Sequence, residues 1–270
     1  RAPLHVAVEK HLPRVVEALL DASAEVDALD PKGLSALTCA AIRVRPQEPD
    51  SKRLDIVKML LARGASMAAY DARIENAGTT LLMTASSEQS DECPELMELL
   101  LQHSPSDDDA QVALAVCCEK GTSRSVSLFT NRGVDVNTMA KGYSATPLWL
   151  ASSYAHARVC LQLMPLVSDL NFRHRVSGET VLYVASERGL LSVVEALISL
   201  GADVTIPTSD LWTPLHAAAQ ENHFEIAKRL LDAGANAEAR NDRGCTARQI
   251  ASASFVGSGS GSIAPSPGWV

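Results

Sequence analysis

Seven of the eleven aromatic residues in this 270-residue chain fall within one 82-residue stretch: Tyr143, Trp149, Tyr154, Phe172, Tyr183, Trp212 and Phe224. Rings gathered in this way offer stacking surfaces, apolar anchors and cation–π contact. Charged residues punctuate the same region, among them Lys141, Arg173, Arg175, Arg188, Glu221, Arg240 and Arg243, with Lys32 and Arg73 earlier in the chain. Guanidinium groups there can meet backbone carbonyls, carboxylates or a chain terminus. This is the chemistry of non-covalent capture. Bond-breaking chemistry has no counterpart: the chain carries no Gly-x-Ser-x-Gly, no Gly-Lys phosphate loop and no His-Glu-x-x-His, the patterns that would set up a nucleophile, a phosphate cradle or a metal. Cys39, Cys93, Cys117, Cys118, Cys160 and Cys245 form neither a Cys-x-x-Cys pair nor a His–Cys metal spacing. No catalytic residue, no metal and no cofactor is expected.

Composition narrows the setting. The formal charge of −8 argues against a surface built mainly for nucleic-acid phosphates. No run of 18 apolar residues is present, so no membrane span is expected. The 46% hydrophobic content supports a packed interior. Most cysteines lie in apolar helical stretches as small hydrophobes, which suits a reducing, intracellular compartment, cytoplasmic or nuclear. The chain opens at Arg1 without an initiator Met, so it is expected to be an excised fragment.

The elements that must position these residues are repeated. Ala2-Pro3-Leu4-His5-Val6-Ala7 recurs as Ser35-Ala36-Leu37-Thr38-Cys39-Ala40 and Thr80-Leu81-Leu82-Met83-Thr84-Ala85, and again as Thr146-Pro147-Leu148-Trp149-Leu150-Ala151. It returns as Thr180-Val181-Leu182-Tyr183-Val184-Ala185, Thr213-Pro214-Leu215-His216-Ala217-Ala218 and Thr246-Ala247-Arg248-Gln249-Ile250-Ala251, spaced from Thr146 by 34, 33 and 33 residues. A second phrase follows the first, as in Val193-Val194-Glu195-Ala196-Leu197-Ile198 then Gly201-Ala202-Asp203, and a weaker copy covers residues 114–137. Thr as N-cap and Pro at the first helical position start a short helix. Leu and Ala give it an apolar stripe, a turn reverses the chain into a second helix, and Gly201 or Gly234 ends that helix left-handed. Segments such as Arg175-Val176-Ser177-Gly178 make a hairpin-like turn. No unit buries its own stripe, so the pairs must stack.

The Thr-Pro-Leu-His-x-Ala-Ala and Leu-Leu-x-x-Gly-Ala-Asn/Asp phrases resemble the ankyrin-repeat family over roughly residues 1–256. The resemblance implies an all-α solenoid of stacked helix-turn-helix pairs joined by hairpin-like loops, with seven repeats and an eighth that stops after its first helix. Polar insertions within residues 43–53 and around 88–94 are expected to loop away from the hairpins. Asp107, Asp108 and Asp109 suit a helix N-terminus. In this family His5 and His216 occupy the position that bonds backbone between repeats, and His11 and His223 the structural turn position.

Beyond Val256 the chain reads Gly257-Ser258-Gly259-Ser260-Gly261-Ser262, the composition of an engineered flexible linker. The segment Ile263-Ala264-Pro265-Ser266-Pro267-Gly268-Trp269-Val270 follows and reads as a tethered peptide ligand. Pro265 and Pro267 would limit the entropy lost on binding, and Trp269 would anchor it, with Ile263 and Val270 at its ends. Six extended residues span about 20 Å and stacked helices lie about 8–10 Å apart, so such a tail reaches the last two or three repeats.

Members of this family bind partners on the concave surface of hairpin tips and first helices. The resemblance therefore implies a protein–protein interaction module, and the aromatics place a peptide groove at repeats five to eight. Its expected lining is Tyr143, Trp149, Tyr154, Arg173, Arg175, Tyr183, Arg188, Trp212, Glu221 and Arg240. Trp149 and Tyr183, which replace the repeat's His, are equally open to inter-repeat packing; Tyr143, Tyr154 and Trp212 are expected to be exposed, and Phe224 to be core. Two other functions stay open: a methyl-lysine or modified-tail reader caged by Trp149, Tyr183 and Trp212, and a substrate-receptor or regulatory portion of a larger enzyme, such as a ubiquitin ligase or acyltransferase.

Overall fold

The computed structural model describes residues 2–41, 50–67, 94–103 and 107–257. Outside the described residues lie most of the 43–53 insertion, the phrase at 80–85, Arg73, residues 88–93, the linker beyond Gly257, and the candidate ligand residues Ile263, Pro265, Pro267, Trp269 and Val270. The described residues are built from helices and turns; the only bridges among them are the isolated pairs Leu29–Ser35 and Arg173–Thr180. The chain divides into two units, Arg1–Val134 and Asp135–Val270.

In the first unit, α1 (Pro3–Glu9) packs on α2 (Pro13–Asp21) and on α3 (Ala36–Ala41), and both α2 and α3 pack on α4 (Asp50–Ala62). Further along, α5 (Pro94–Gln102) and α6 (Asp107–Lys120) both pack on α7 (Ser123–Asn131). Pro3 and Pro13 start their helices, where a missing N–H costs nothing. Leu4, Leu37, Ile56, Leu60, Leu114 and Phe129 are fully buried, so the stripe of each helix is covered by its neighbour. His5 Nε2 donates to the Leu34 carbonyl at 2.9 Å, tying the first repeat to the next hairpin. That hairpin closes through Asp30, whose Oδ1 accepts from the N–H groups of Lys32 and Leu34 at 2.8 and 3.0 Å.

Arg53 departs from the expectation of a polar loop. It lies in α4, is 4% exposed, and its Nε donates to the Ala40 carbonyl at 2.7 Å while Nη2 reaches the Ala41 carbonyl. Carbonyls at the end of α3 have no helical partner, and a buried guanidinium satisfies two of them. Asp107, Asp108 and Asp109 fall in the first turn of α6, where the helix dipole favours carboxylates.

The second unit is more regular. Its first-helix row is α8 (Pro147–Ser153), α10 (Val181–Glu187), α12 (Pro214–Gln220) and α14 (Ala247–Gly257). Each of these packs on its neighbour in the row. The second row is α9 (Ala157–Leu163, extended by a 3-10 turn at Met164–Leu166), α11 (Leu191–Ser199) and α13 (Phe224–Asp232). Thr180 Oγ1 caps α10 by accepting from the Tyr183 N–H, and Thr213 forms a reciprocal cap with His216 on α12. Thr146 has the extended N-cap backbone without a side-chain bond, so Pro147 alone sets that start. Gly201 and Gly234 adopt φ of 87° and 93°, ending α11 and α13 in the left-handed conformation. The first residue of the Gly/Ser run, Gly257, is the last of α14.

Candidate functional site

Trp149, Tyr183 and Trp212 come from three successive repeats and meet. Tyr183, Val184 and Ala217 form a buried floor, and Trp149 and Trp212 pack against it half-buried. The spacing explains the meeting. Trp149 and Tyr183 hold the same position of neighbouring first helices, and Trp212 immediately precedes the next one. Val184 and Ala217, both small enough to leave room for large neighbours, complete the floor on which the two indoles pack.

Each ring is fixed by polar neighbours. The imidazole of His174 stacks on Trp149 with centroids 4.5 Å apart and planes at 15°. His174 is held from both nitrogens, Nε2 by the Ser144 hydroxyl and Nδ1 by the Ser177 hydroxyl, each at 2.9 Å. Trp149 Nε1 is buried and has no hydrogen-bond partner among the described residues. Trp212 donates its backbone N–H to Thr208 Oγ1 at 3.1 Å and its indole N–H to Asp242 Oδ1 at 3.2 Å. The Arg243 guanidinium carbon lies 6.0 Å from the Trp212 ring centroid, the outer limit of a useful cation–π contact. His216 sits beside the same ring, 5.9 Å away and tilted.

The surroundings are acidic. Burial, reinforced by the charges of Glu187, Glu179, Asp210 and Glu221, raises the Tyr183 hydroxyl well above the ordinary phenol range. The Glu187 carboxyl is also raised, chiefly by burial and further by Glu179 and Glu221, against the opposing pull of Arg188. Arg188 Nε stands 3.7 Å from Glu187, with both side chains partly exposed, a geometry that contributes little. Among the described residues Glu179 and Asp210 have no ion pair and no side-chain hydrogen bond.

Two of the expected cations of this face, Arg173 and Arg240, are spent on its scaffold. Arg173 Nη2 donates to the Pro207 carbonyl at 3.0 Å and Nε to the Gly178 carbonyl at 3.3 Å, while Arg240 Nη1 donates to the Gly244 carbonyl at 2.6 Å. Arg173 Nε and Arg240 meet carbonyls across the turn that follows each of them, while Arg173 Nη2 crosses to the next repeat at Pro207. Arg175 is exposed at the 175–178 turn. Adjacent tips are joined by the Ser209 N–H donating to the Ser177 carbonyl at 3.0 Å. A Cβ on Gly178 would stand 2.9 Å from the Ser209 nitrogen, so this close approach requires glycine.

The other expected residues divide. Tyr154 is 53% exposed at the C-terminus of α8, and Glu221 is exposed at the corresponding end of α12. Tyr143 is half-buried in the turn before α8. Trp212, expected to be exposed, is half-buried because it packs against Tyr183, Val184 and Ala217. Tyr183 is 9% exposed and belongs to the packing. Phe224, expected in the core, is half-buried; it is the first residue of α13, whose buried stripe is Ile226, Ala227 and Leu230. Glu179, Glu187, Asp210 and Asp242 stand at the site although the sequence pattern did not single them out; Glu179 directly precedes the helix-starting Thr180, Asp210 and Asp242 lie in the turns before Thr213 and Thr246, and Glu187 ends α10.

The histidines of the repeat are structural here. His216 Nε2 donates to the Cys245 carbonyl and His223 Nε2 to the Glu187 carbonyl, both at 3.1 Å. Burial holds His216 below the usual imidazole range, against the hydrogen bonds to the carbonyls of Cys245 and Ala239. Among the described residues no group of three or more His, Cys, Asp or Glu is placed to hold a metal, and no helix is long and apolar enough to cross a membrane.

Comparison with known proteins agrees with this architecture. The family model for three copies of the ankyrin repeat matches residues 114–208 and 148–241, and the single-repeat model matches residues 1–31. Protein phosphatase 1 regulatory subunit 12A of Mus musculus is 41% identical over 91 residues, 34% of this chain and 9% of the mouse protein. The B-cell lymphoma 3 protein homolog of Mus musculus is 28% identical over 237 residues, covering 84% of this chain and 50% of that protein. Ankyrin repeat and SOCS box protein 11 of Homo sapiens is 36% identical over 110 residues, 40% of this chain and 32% of the human protein. The chain thus spans half or less of the length of each of these relatives.

Proposed function

Because the chain belongs to the ankyrin-repeat family, whose repeats are protein–protein interaction modules, we propose that its second unit takes a short linear peptide across α8, α10 and α12 and the turns before them. The observation that carries this reading is the aromatic cluster on the first-helix row, with Trp149 and Trp212 laid over Tyr183, Val184 and Ala217. Half-buried Trp is the side chain most often found at the energetic centre of an interface. Tyr143, Tyr154, Arg175, Arg188 and Glu221 form the rim. Arg173 and Arg240 hold the hairpin tips that shape it.

The candidate peptide is the chain's own Ile263-Ala264-Pro265-Ser266-Pro267-Gly268-Trp269-Val270. A linker of this length supplies an effective concentration on the order of millimolar. The test uses the full chain carrying Trp269→Ala, titrated with the synthetic octapeptide. Saturable binding is expected, and the octapeptide with Trp269→Ala should bind more weakly by about 2 kcal/mol. Equal binding of the two peptides would remove the segment from consideration.

A second reading is supported by the names of the relatives. One is a phosphatase regulatory subunit and another carries a SOCS box, so a regulatory or substrate-receptor portion of a larger assembly fits the same binding role. Full-length transcripts that encode no further domain would contradict it.

A further inference from the structure

We infer that Val176 and Leu211, on neighbouring hairpin tips of the second unit, take the aliphatic half of the candidate peptide, Ile263 to Pro267, with Leu211 as the specificity-determining contact. This rests on the peptide-binding reading above and assigns one part of the ligand to named side chains.

One hairpin lacks its glycine. The hairpins before α3, α10 and α14 turn through Gly33, Gly178 and Gly244, each two residues ahead of the Ser or Thr that starts the helix, at φ of 83°, 71° and 72°. Before α12 that place belongs to Leu211, which adopts the same left-handed conformation at φ of 62°. Its hydrogen bond is equivalent as well. The Leu211 N–H donates to the Thr208 carbonyl at 3.1 Å, as Gly33 does to Asp30 and Gly244 to Asn241 at 2.8 and 2.9 Å. A branched side chain is disfavoured in this conformation, and glycine's greater freedom in the unfolded chain offsets only part of that. Burial does not offset the rest, because Leu211 is 51% exposed. A leucine at the surface is ordinary; a strained one that its own core does not use marks a position held for an outside contact.

Val176 supplies a second contact of the same kind. It is 78% exposed at the tip before α10, and the Ser209 N–H, donating to the Ser177 carbonyl at 3.0 Å, ties that tip to the one carrying Leu211. Neighbouring repeats stand about 10 Å apart, and an extended proline-containing segment rises about 3.1 Å per residue. Side chains three to four residues apart therefore match the two tips, and Ile263 and Pro267 have that spacing. No residue of 263–270 has a charged side chain, which suits an aliphatic pair. The chain is also long enough. The eleven residues of α14, ending at Gly257, rise about 16 Å, and α12 is its neighbour in the row, about 10 Å away. Six to ten extended residues beyond Gly257 span about 20–35 Å, enough to bring residues 263–267 to the start of α12.

The test titrates the octapeptide of residues 263–270 into the full chain carrying Trp269→Ala, with and without Leu211→Gly, beside urea unfolding of both. Leu211→Gly restores the glycine of the other hairpins. The unfolding midpoint should hold or rise while the octapeptide binds about tenfold more weakly, the share of burial open to a half-exposed leucine. An octapeptide carrying Ile263→Ser and Pro267→Ser should bind the parent more weakly and lose nothing further on Leu211→Gly. Leu231→Ala, exposed on α13, should leave affinity intact. Octapeptide affinity in Leu211→Gly within about twofold of the parent overturns the Leu211 contact and leaves the peptide-binding face standing. An undiminished loss with the changed octapeptide overturns it too, since Leu211 then acts apart from Ile263 and Pro267. A lower unfolding midpoint in Leu211→Gly shows that the leucine stabilises the free chain and likewise overturns the inference. Absence of octapeptide binding to the parent overturns both readings.

Discussion

Replacing Gly189 by alanine probes whether the turns between helices hold the candidate site in place. Gly189 adopts φ of 73°, and a Cβ added there would stand 2.7 Å from His223 Cε1 and 2.9 Å from its Nε2. That nitrogen donates to the Glu187 carbonyl at 3.1 Å, the last residue of α10. A left-handed alanine costs about 1–2 kcal/mol, of which about 0.5–1 kcal/mol returns because the unfolded chain loses glycine's freedom. Moving the imidazole aside forfeits a hydrogen bond of about 0.5–1.5 kcal/mol. The sum is a loss of about 0.5–3 kcal/mol. Urea unfolding followed by far-ultraviolet circular dichroism reads it as a lower midpoint. Two equivalent turns provide the contrast. Ala155, at φ of 62°, should gain about 0.5 kcal/mol on conversion to glycine. Asn222, at φ of 58°, should change little, since asparagine tolerates this conformation. Parental stability in Gly189→Ala, or equal gains in Ala155→Gly and Asn222→Gly, would show that these turns do not carry the left-handed strain and the His223 contact assigned to them.

Other expectations follow from single contacts. Gly178→Ala should separate the joined turns at Ser209 and Ser177 and weaken peptide binding about tenfold or more, read by calorimetry beside an unfolding curve. Arg53→Met should cost about 2–3 kcal/mol by leaving the Ala40 and Ala41 carbonyls unanswered, a loss visible in thermal unfolding. The Cys160 thiol, pushed up to about 11 by burial, should resist a disulfide reagent at about pH 8, where the more exposed Cys245 reacts; prompt labelling of Cys160 in the native chain would contradict its burial. His216 is held neutral by burial, so its contribution to stability is complete above about pH 6.5 and is lost as pH falls from there towards its lowered folded-state value. His216→Gln should flatten that part of the stability–pH profile.

The fold was legible because the repeat phrase states its mechanics directly: threonine and proline for the helix start, leucine and alanine for the stripe, glycine for the reversal. Thr213 and His216 show how far that legibility reaches, since their spacing of three residues encodes the reciprocal cap. The candidate site was legible as a gathering of rings and poorly legible as electrostatics. Arg173 and Arg240 look like ligand-facing cations in the sequence, yet backbone carbonyls five or fewer residues away, and Pro207 in the next repeat, take their donors. Arg53 looks like loop and is a buried carbonyl clamp, because the charge pattern of an insertion does not reveal which carbonyls lie open above it. Glu179 and Asp210 belong to adjacent turns whose meeting depends on the stacking of two repeats, a distance that no single repeat encodes.

A peptide bound on the first-helix row of the second unit would slow exchange of the backbone amides beneath it. Amide hydrogen exchange of the full chain carrying Trp269→Ala, with and without the synthetic octapeptide of residues 263–270, tests it directly. Added protection is expected in residues 174–188 and 207–221, around the turns and first helices that carry Tyr183, Glu187 and Trp212. Protection confined to α11 and α13, at residues 191–199 and 224–232, would place the partner on the opposite row and contradict it.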